Sequence, residues 1–179
     1  MAQPTWILLS SRLPREPSRL RLATWRRLKR LGAALLHDSV WILPAEAKTR
    51  EAFEWLADEI EEQGGTALVW EAQSLSGDQD RRIVEQFRGE ADERYAALGA
   101  SAGAIGRAAA RGKQRRAGQL GGALRQLRGL ERALRLERRR DYFRAPARGA
   151  AELALRDAIR ELEAQSESSE EGARDALGH

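Results

Sequence analysis

The sequence of 179 residues predicts an α+β fold, in which a small sheet domain is followed by a helical extension. Short apolar runs and amphipathic segments alternate in its first 75 residues, and proline or glycine ends most of them. The rest of the chain shows helical periodicity only. A chain of this length buries roughly 70% of its unfolded surface, so it folds without a disulfide or a structural metal.

The apolar runs and helical segments follow one another in the order β-α-β-β-α-β, which is the order of the ferredoxin-like fold. The predicted strands are the apolar runs at residues 6–10, 33–36, 40–43 and 66–70. Helices are predicted at 18–31 and 46–63, and the glycines that follow each of them are typical of helix C-termini. We therefore predict a ferredoxin-like domain over residues 1–75.

Both predicted helices of this domain are amphipathic. In the first helix, the arc predicted to be buried consists of Leu20, Thr24, Trp25, Leu28 and Leu31. Basic side chains lie opposite this arc. In the second helix, the predicted core stripe consists of Phe53, Leu56, Ala57 and Ile60. Trp55 projects from the other side of that helix, so we expect a second layer or a partner to cover it.

Residues 76–165 are predicted to form a helical extension packed on the sheet domain. Leucines between 120 and 134 form an apolar seam, which we expect to pack on the chain's own sheet or helices. A last helix is predicted over 147–164. Residues 166–179 are polar and rich in acidic side chains, and we expect them to form a disordered acidic tail.

The segment 99–122 is rich in Ala, Gly and Arg, with few large apolar side chains. Such a composition is too weakly apolar to bury much surface. It predicts either a weakly ordered linker at about 100–118 or a poorly packed helix.

Basic and acidic side chains are segregated along the chain, although the net charge is only +4. Residues 12–30 carry eight basic side chains against one acidic, and residues 107–140 carry twelve against two. Residues 46–62 carry seven acidic side chains against two basic, and residues 161–175 carry six against one. Such blocks bear on partners and solubility rather than on fold. They fit solvated helix faces, and they also fit an anion-binding surface that acidic segments shield.

The composition excludes several kinds of chemistry. Cysteine is absent and the two histidines are His37 and His179, so thiol catalysis, Cys-ligated zinc and multi-histidine metal sites are excluded. No sequence pattern places a base beside Ser10 or Ser11. The glycine-rich segment 106–113 lacks the spacing and the Ser or Thr of a phosphate-binding loop. We therefore expect a protein that is not an enzyme and has no cofactor and no metal site.

Nothing in the sequence predicts a membrane location. No run of eighteen apolar residues occurs, and the first residues lack the basic and apolar regions of a signal peptide. We therefore expect a cytoplasmic protein without a membrane partner.

Arginine remains as the source of binding chemistry. A guanidinium group matches the oxygens of phosphate, sulfate or chromate in a bidentate manner and stays charged at any working pH. The candidate residues for binding a nucleic acid or an oxyanion lie on the first helix and are Arg19, Arg26, Arg27, Lys29 and Arg30. Arginine abundance also follows from a composition rich in Ala, Gly and Arg, and the role of the basic block 107–140 stays open.

Three segments together resemble the N-terminal domain of the ChrB chromate-resistance regulators. They are LRLATWRRLKRLGA at 20–33, DSVWILP at 38–44 and RDYFRAP at 140–146. With the apolar start at 6–9, the match spans about residues 5–163. The resemblance implies a bacterial cytoplasmic protein that controls a chromate-efflux operon. Full-length members carry a second, C-terminal domain, so whether chromate binds the domain present here stays open.

The strand and basic-helix pattern is also similar, more distantly, to the ferredoxin-like domain of the small CRISPR-associated nucleases and of PaaX-type repressors. Those nucleases place an acidic metal ligand at the end of the first strand, where this sequence has Ser10 and Ser11. Asp38 alone would be a poor replacement, so we expect no metal-dependent nuclease activity. The resemblance implies a homodimer formed through the sheet, with the basic helices displayed toward duplex DNA.

We therefore expect a non-catalytic, DNA-associated transcriptional regulator of chromate resistance that forms a homodimer. Two alternatives stay open. One is a sensor that binds chromate or sulfate and acts through a protein partner, and the other is a dimeric scaffold without a ligand. A DNA titration at several salt concentrations separates them, because DNA binding weakens steeply with salt.

Overall fold

The structure is a computed structural model that describes residues 4–14, 18–110 and 117–177. Its strands are β1 (Thr5–Arg12), β2 (Ala34–His37), β3 (Val40–Pro44) and β4 (Thr66–Gln73). Its helices are α1 (Ser18–Leu31), α2 (Ala47–Glu62), α3 (Gly77–Ala110), α4 (Ala117–Arg140) and α5 (Arg148–Leu177). The order β1-α1-β2-β3-α2-β4, followed by helices, confirms the predicted α+β class.

The strands form an antiparallel sheet in the order β2-β3-β1-β4. β1 lies inside the sheet, where Leu8 is paired with Ile42 of β3 and with Trp70 of β4. Because side chains alternate along a strand, Ile7 and Leu9 are buried on one face and Leu8 points to the other. This strand order confirms the ferredoxin-like arrangement that the sequence predicted.

The chain divides into two compact units, Met1–Phe87 and Arg88–His179. The sequence placed a boundary at residue 75, directly after the last strand. The first turns of α3 belong to the first unit because they pack on the sheet. Phe87 stacks on Trp6 with ring centroids 6.1 Å apart, and Gln86 Nε2 donates to the Leu35 carbonyl oxygen at 3.0 Å. α3 therefore begins in the first unit and continues in the second.

A buried hydrogen bond also holds the start of α3 to the first unit. Trp6 Nε1 donates to Asp80 Oδ1 at 2.9 Å, and Asp80 is only 6% exposed. The second carboxylate oxygen of Asp80 is buried and has no hydrogen-bond partner within the described part of the chain. Trp6 therefore belongs to the core on the sheet face opposite Ile7 and Leu9.

α2 carries the apolar stripe that the sequence predicted for it. The buried residues of this stripe are Phe53, Leu56, Ala57 and Ile60. At the end of the helix, Gly64 takes a φ of 81°, which favours glycine. A Cβ atom at Gly65 would lie 2.6 Å from Ile60 Cγ2, so the chain also needs glycine there to pass the helix closely. Trp55 lies on the outer side and is 63% exposed, as predicted.

The second unit has its own apolar core, which α4, α5 and the later part of α3 share. Its buried members include Ala91, Tyr95, Ala102, Ala109, Leu127, Leu134, Leu155, Ala158 and Leu162. Leu127 and Leu134 come from the predicted leucine seam. The seam therefore packs on helices of its own unit.

The segment 99–110, which we expected to be too weakly apolar to bury, is the last part of α3. Ala102 and Ala109 are buried. A Cβ atom at Gly99 would lie 3.3 Å from Ala151 Cα, so the backbones of α3 and α5 approach closely there. Small residues thus replace large apolar ones as the source of packing, which corrects our expectation for these residues. The remainder of the expected linker at 111–116 lies outside the described residues.

α5 is longer than the sequence predicted. It continues to Leu177, through the segment that we expected to form a disordered acidic tail. Leu162 is the last fully buried residue among the described side chains of this helix. The residues that follow are mostly Ala, Glu, Gln, Arg and Ser, and the strong helix formers among them favour the continued helix.

Candidate nucleic-acid interface

α1 is buried along one side, and a glycine terminates it. Leu20 and Leu28 are buried. Gly32 takes a φ of 76°, and its N–H donates to the Lys29 carbonyl at 3.2 Å. The next N–H, of Ala33, donates to the Leu28 carbonyl at 3.0 Å, which completes a Schellman C-terminus. Because one side of α1 is buried and its end is fixed, the opposite side is held toward solvent.

Three of the five predicted cations project from this solvent side. Arg19, Arg26 and Arg30 are exposed, and within the described residues none of them makes an ion pair or a side-chain hydrogen bond. Arg26 and Arg30 are one helical turn apart, and Arg19 lies two turns before Arg26. We call these three residues the α1 cationic face. They form one ridge that is available to an anion.

The other two predicted cations are engaged within the first unit. Arg27 is ion-paired with Glu59 of α2, and since both side chains are partly exposed the pair contributes about 0–1 kcal/mol. Lys29 Nζ lies 5.7 Å from the centroid of the Trp41 ring, within the range of a cation–π interaction. Arg27 therefore pairs with an acidic residue of α2, whereas the residues of the α1 cationic face do not.

Trp25 was predicted to lie on the buried arc of α1, and this prediction is wrong. The indole is 49% exposed, and Leu22 is exposed on the same side. Trp25 lies at the edge of the predicted arc, and the arc that is buried is narrower than the one drawn from the sequence. An exposed indole on the same helix as exposed guanidinium groups suits a nucleic acid, because aromatic rings stack on bases while cations contact phosphates.

Most of the basic block 107–140 lies in α4. The exposed arginines of this helix are Arg125, Arg128, Arg132, Arg135, Arg138 and Arg139. Among these, Arg138 is ion-paired with Glu152. Arg140 is half-buried and is paired with Glu137. Four basic residues of the block, between 111 and 116, lie outside the described residues.

A buried ionic cluster in the second unit was missed by the sequence analysis. Glu137 is 1% exposed, and its two oxygens accept hydrogen bonds from Arg94 Nε at 2.7 Å and from Arg140 Nε at 2.8 Å. Tyr95 donates to Asp141 Oδ2 at 3.2 Å. Burial raises the pKa of the Tyr95 phenol above its usual range, and the Asp141 carboxylate adds to this effect. These groups therefore satisfy one another's hydrogen bonds inside the second unit.

The residues considered for metal chemistry do not form a metal site. Ser10 and Ser11 lie near the end of β1, and Asp38 lies in the exposed turn between β2 and β3 with a φ of 48°. In the ranges that the structure describes, no three His, Asp or Glu side chains gather as metal ligands do. The expected lack of metal-dependent nuclease activity stays a prediction. The helices of those ranges also include none with the length and apolar character that crossing a bilayer requires.

A groove of about 540 Å³ lies on the sheet of the first unit. Its walls are mainly apolar and include Trp6, Leu8 and Ile42, and the basic side chains that line it are His37 and Arg82. Apolar walls do not replace the hydration shell of chromate or sulfate. The α1 cationic face therefore suits an anion better than this groove does.

These features define a class of protein: a ferredoxin-like α+β domain that displays a cationic helix and carries a helical extension. A family model described as the N-terminal region of protein ChrB matches residues 21–172. The chain therefore belongs to the ChrB N-terminal domain family. Membership of this family relates the chain to chromate resistance.

A curated relative supports the same family. Protein ChrB from Cupriavidus metallidurans (strain CH34) is 28% identical to this chain over 85 residues. The aligned stretch covers 48% of this chain and 26% of that protein, so the chain spans about a quarter of the relative's length. No solved structure matches the chain.

Proposed function

We propose that this chain is a DNA-associated transcriptional regulator of chromate resistance that acts in the cytoplasm and catalyses no reaction. Family membership supports the link to chromate resistance. The α1 cationic face is the observation that carries the DNA contact, because it presents three exposed guanidinium groups on a helix that also exposes Trp25. A phosphate backbone supplies the charges that these groups match.

The sequence of α1 strengthens this interpretation. Residues 18–31 contain no acidic side chain, so pairs four residues apart cannot neutralise the cations within the helix. Lys29 and Arg30 lie in the last turn, where the helix dipole favours positive charge. α1 therefore carries many cations that no acidic residue of the same helix neutralises, and its dipole favours those at its C-terminal end.

Replacing Arg26 and Arg30 together with alanine is expected to weaken DNA binding about tenfold or more at low salt. It should also reduce the slope of log affinity against log salt by about two, since each lost phosphate contact removes about one unit. The melting temperature should stay unchanged, because neither residue is paired within the described chain. Fluorescence anisotropy with a DNA duplex at two salt concentrations, together with a thermal melt, measures both effects.

The matched control replaces Lys48 and Arg50 with alanine, which removes the same charge from α2. These two cations are ion-paired with Glu46 and Glu71 respectively, so the control should bind DNA with nearly the affinity of the unmodified protein. Unchanged affinity of the Arg26 and Arg30 variant at both salt concentrations would remove α1 from the DNA contact.

We also propose that two copies associate through the part of the sheet face, on the side of Leu8, that α3 leaves exposed. Leu68 and Trp70 of β4 are exposed and project on the side of Leu8, so they form an apolar patch. Trp55 is exposed too, but Glu51, Glu54 and Asp58 are exposed around it on α2, and two copies of that surface would repel. The sheet face is therefore the better contact between identical chains.

Light scattering at micromolar concentration should give twice the chain mass of 20.0 kDa. Replacing Leu68 and Trp70 with serine should produce a monomer, because the apolar patch is lost. Replacing Trp55 with serine should leave the dimer intact. A monomeric unmodified protein contradicts the proposal, and a monomer produced by the Trp55 variant alone would move the interface to α2.

A further inference from the structure

α4 separates apolar and basic side chains onto opposite sides. Leu120, Leu127 and Leu134 are buried in the second unit. On the opposite side, five exposed arginines follow one another at spacings of three and four residues, and we call them the α4 arginine stripe: Arg125, Arg128, Arg132, Arg135 and Arg139. Spacings that alternate between three and four keep side chains in one row along a helix.

We infer that the α4 arginine stripe is a second nucleic-acid contact, which binds the phosphate backbone of a duplex. This inference rests on the proposed function, since it gives the DNA-associated protein a contact on its second unit. It assigns a binding role to the basic block whose purpose the sequence left open.

The arginines of the stripe are not used by the fold. Within the described residues, none of the five makes an ion pair or a side-chain hydrogen bond. The acidic residues of α4 do not compensate them, because Glu137 is buried against Arg94 and Arg140 and Glu131 is half-buried. The exposed charge on this side of α4 is therefore positive and makes no ion pair within the described chain, although Arg135 lines a groove together with Glu152 and Glu163 of α5.

The stripe works against the stability of the helix that carries it. Like charges three or four residues apart destabilise a helix, and neighbouring members of the stripe repeat this spacing four times. No ion pair within the described chain offsets this repulsion. A ligand that is itself a row of negative charges would offset it.

The dimensions of the stripe match such a ligand. From Arg125 to Arg139 the helix rises about 21 Å, so its guanidinium groups follow one another about every 5 Å. Along one strand of a duplex the phosphates follow one another about every 3.4 Å of axis, so the length of the stripe spans about six of them, and each guanidinium group holds phosphate oxygens in a bidentate manner. A row of five arginines therefore suits a strand better than it suits a single small oxyanion.

The stripe does not have the composition of a membrane-binding helix. Such helices bury a broad apolar face in the bilayer between flanking cations. The apolar face of α4 is already occupied by the core of the second unit, and the large apolar side chain exposed beside the stripe is Leu136. Nucleic-acid phosphates are therefore the expected partner, and anionic lipids serve as the alternative in the test.

The test replaces Arg125, Arg132 and Arg139 with alanine in the full chain. Alanine is the best helix former, so α4 should remain folded, which circular dichroism checks. Binding to a mixed-sequence DNA duplex should weaken about tenfold or more at low salt, and the salt slope should fall by about three. The corresponding lysine variants should retain most of the slope, because they keep the charge.

The matched control removes three cations that are ion-paired in the structure, by replacing Lys48, Arg50 and Arg81 with alanine. It should bind DNA almost as the unmodified protein does. An equal loss in the control and in the stripe variant would show an effect of net charge alone and overturn the inference. Binding to phosphatidylserine vesicles that the stripe variant loses, without a loss of DNA binding, would also overturn it.

Parallel measurement of the α1 variant separates the two proposals. If the stripe variant loses DNA affinity while the Arg26 and Arg30 variant keeps it, the DNA contact of the stripe is supported and the DNA contact of α1 is contradicted. The reverse result overturns the stripe and leaves the proposed function standing. Loss in both variants supports both contacts. An unmodified protein that does not bind DNA at all overturns both proposals.

Discussion

Replacing Trp6 with alanine is expected to lower the free energy of unfolding of the first unit by about 3–5 kcal/mol. The indole is buried, stacks on Phe87 and donates a hydrogen bond to Asp80. Alanine leaves a large cavity between the sheet and α3. It also removes the donor from a buried carboxylate whose other oxygen has no partner within the described chain. Denaturant unfolding followed by the emission of the remaining tryptophans, which all lie in the first unit, measures this loss.

Two further variants separate packing from hydrogen bonding at this position. Phenylalanine at position 6 keeps a stacked ring and loses the N–H group, so the cost should be about 1–3 kcal/mol. Asparagine at Asp80 keeps an acceptor oxygen, so its cost should be smaller than that of Trp6→Ala. Equal costs for Trp6→Ala and Trp6→Phe would assign the whole effect to the hydrogen bond. No change in either variant would contradict the anchoring of α3 on the sheet.

Replacing Glu137 with alanine is expected to cost the second unit about 3–5 kcal/mol. The carboxylate is almost completely buried between Arg94 and Arg140. Its removal leaves two largely buried guanidinium groups without their acceptor, and the cost arises from these uncompensated charges rather than from the lost methylene groups. Denaturant unfolding followed by far-UV circular dichroism measures the change.

The matched control is Glu90→Ala, which removes another carboxylate near the same arginine. Glu90 is less buried and lies 3.6 Å from Arg94, so its loss should cost about 0–1 kcal/mol. A triple variant, Arg94→Met, Glu137→Leu and Arg140→Met, should regain much of the stability lost in Glu137→Ala, because no charge is then left uncompensated. Equal effects of Glu90→Ala and Glu137→Ala would contradict the special role of the buried carboxylate.

The sequence predicted the first unit well because local signals there agree with the fold. Apolar runs mark the strands, and Gly32 and Gly64 close the two helices at the positions where a positive φ is needed. The α1 cationic face also followed from periodicity, since burying Leu20 and Leu28 necessarily exposes the opposite side. The sequence could not tell that Arg27 would be paired, because its partner Glu59 lies on another helix.

Other features could not be predicted because they depend on contacts distant in the chain. Asp80 occurs in a polar segment at the start of α3, and its buried hydrogen bond is with Trp6, which lies 74 residues earlier in the chain. The packing of Gly99 against Ala151 depends on the close approach of two backbones, which hydrophobicity does not reveal. The burial of Glu137 could have been predicted from the sequence, since this residue lies on the side of α4 that carries Leu127 and Leu134.

The aromatic residues divide between the two units in a way that makes each unit optically distinct. The tryptophans, all in the first unit, are Trp6, Trp25, Trp41, Trp55 and Trp70. Both tyrosines, Tyr95 and Tyr142, lie in the second unit. Indole emission therefore reports unfolding of the first unit alone, and it coincides with the circular dichroism curve only if both units unfold together. Exposed Trp25, Trp55 and Trp70 also make the unlabelled protein a fluorescent reporter of a ligand or a second chain that covers them.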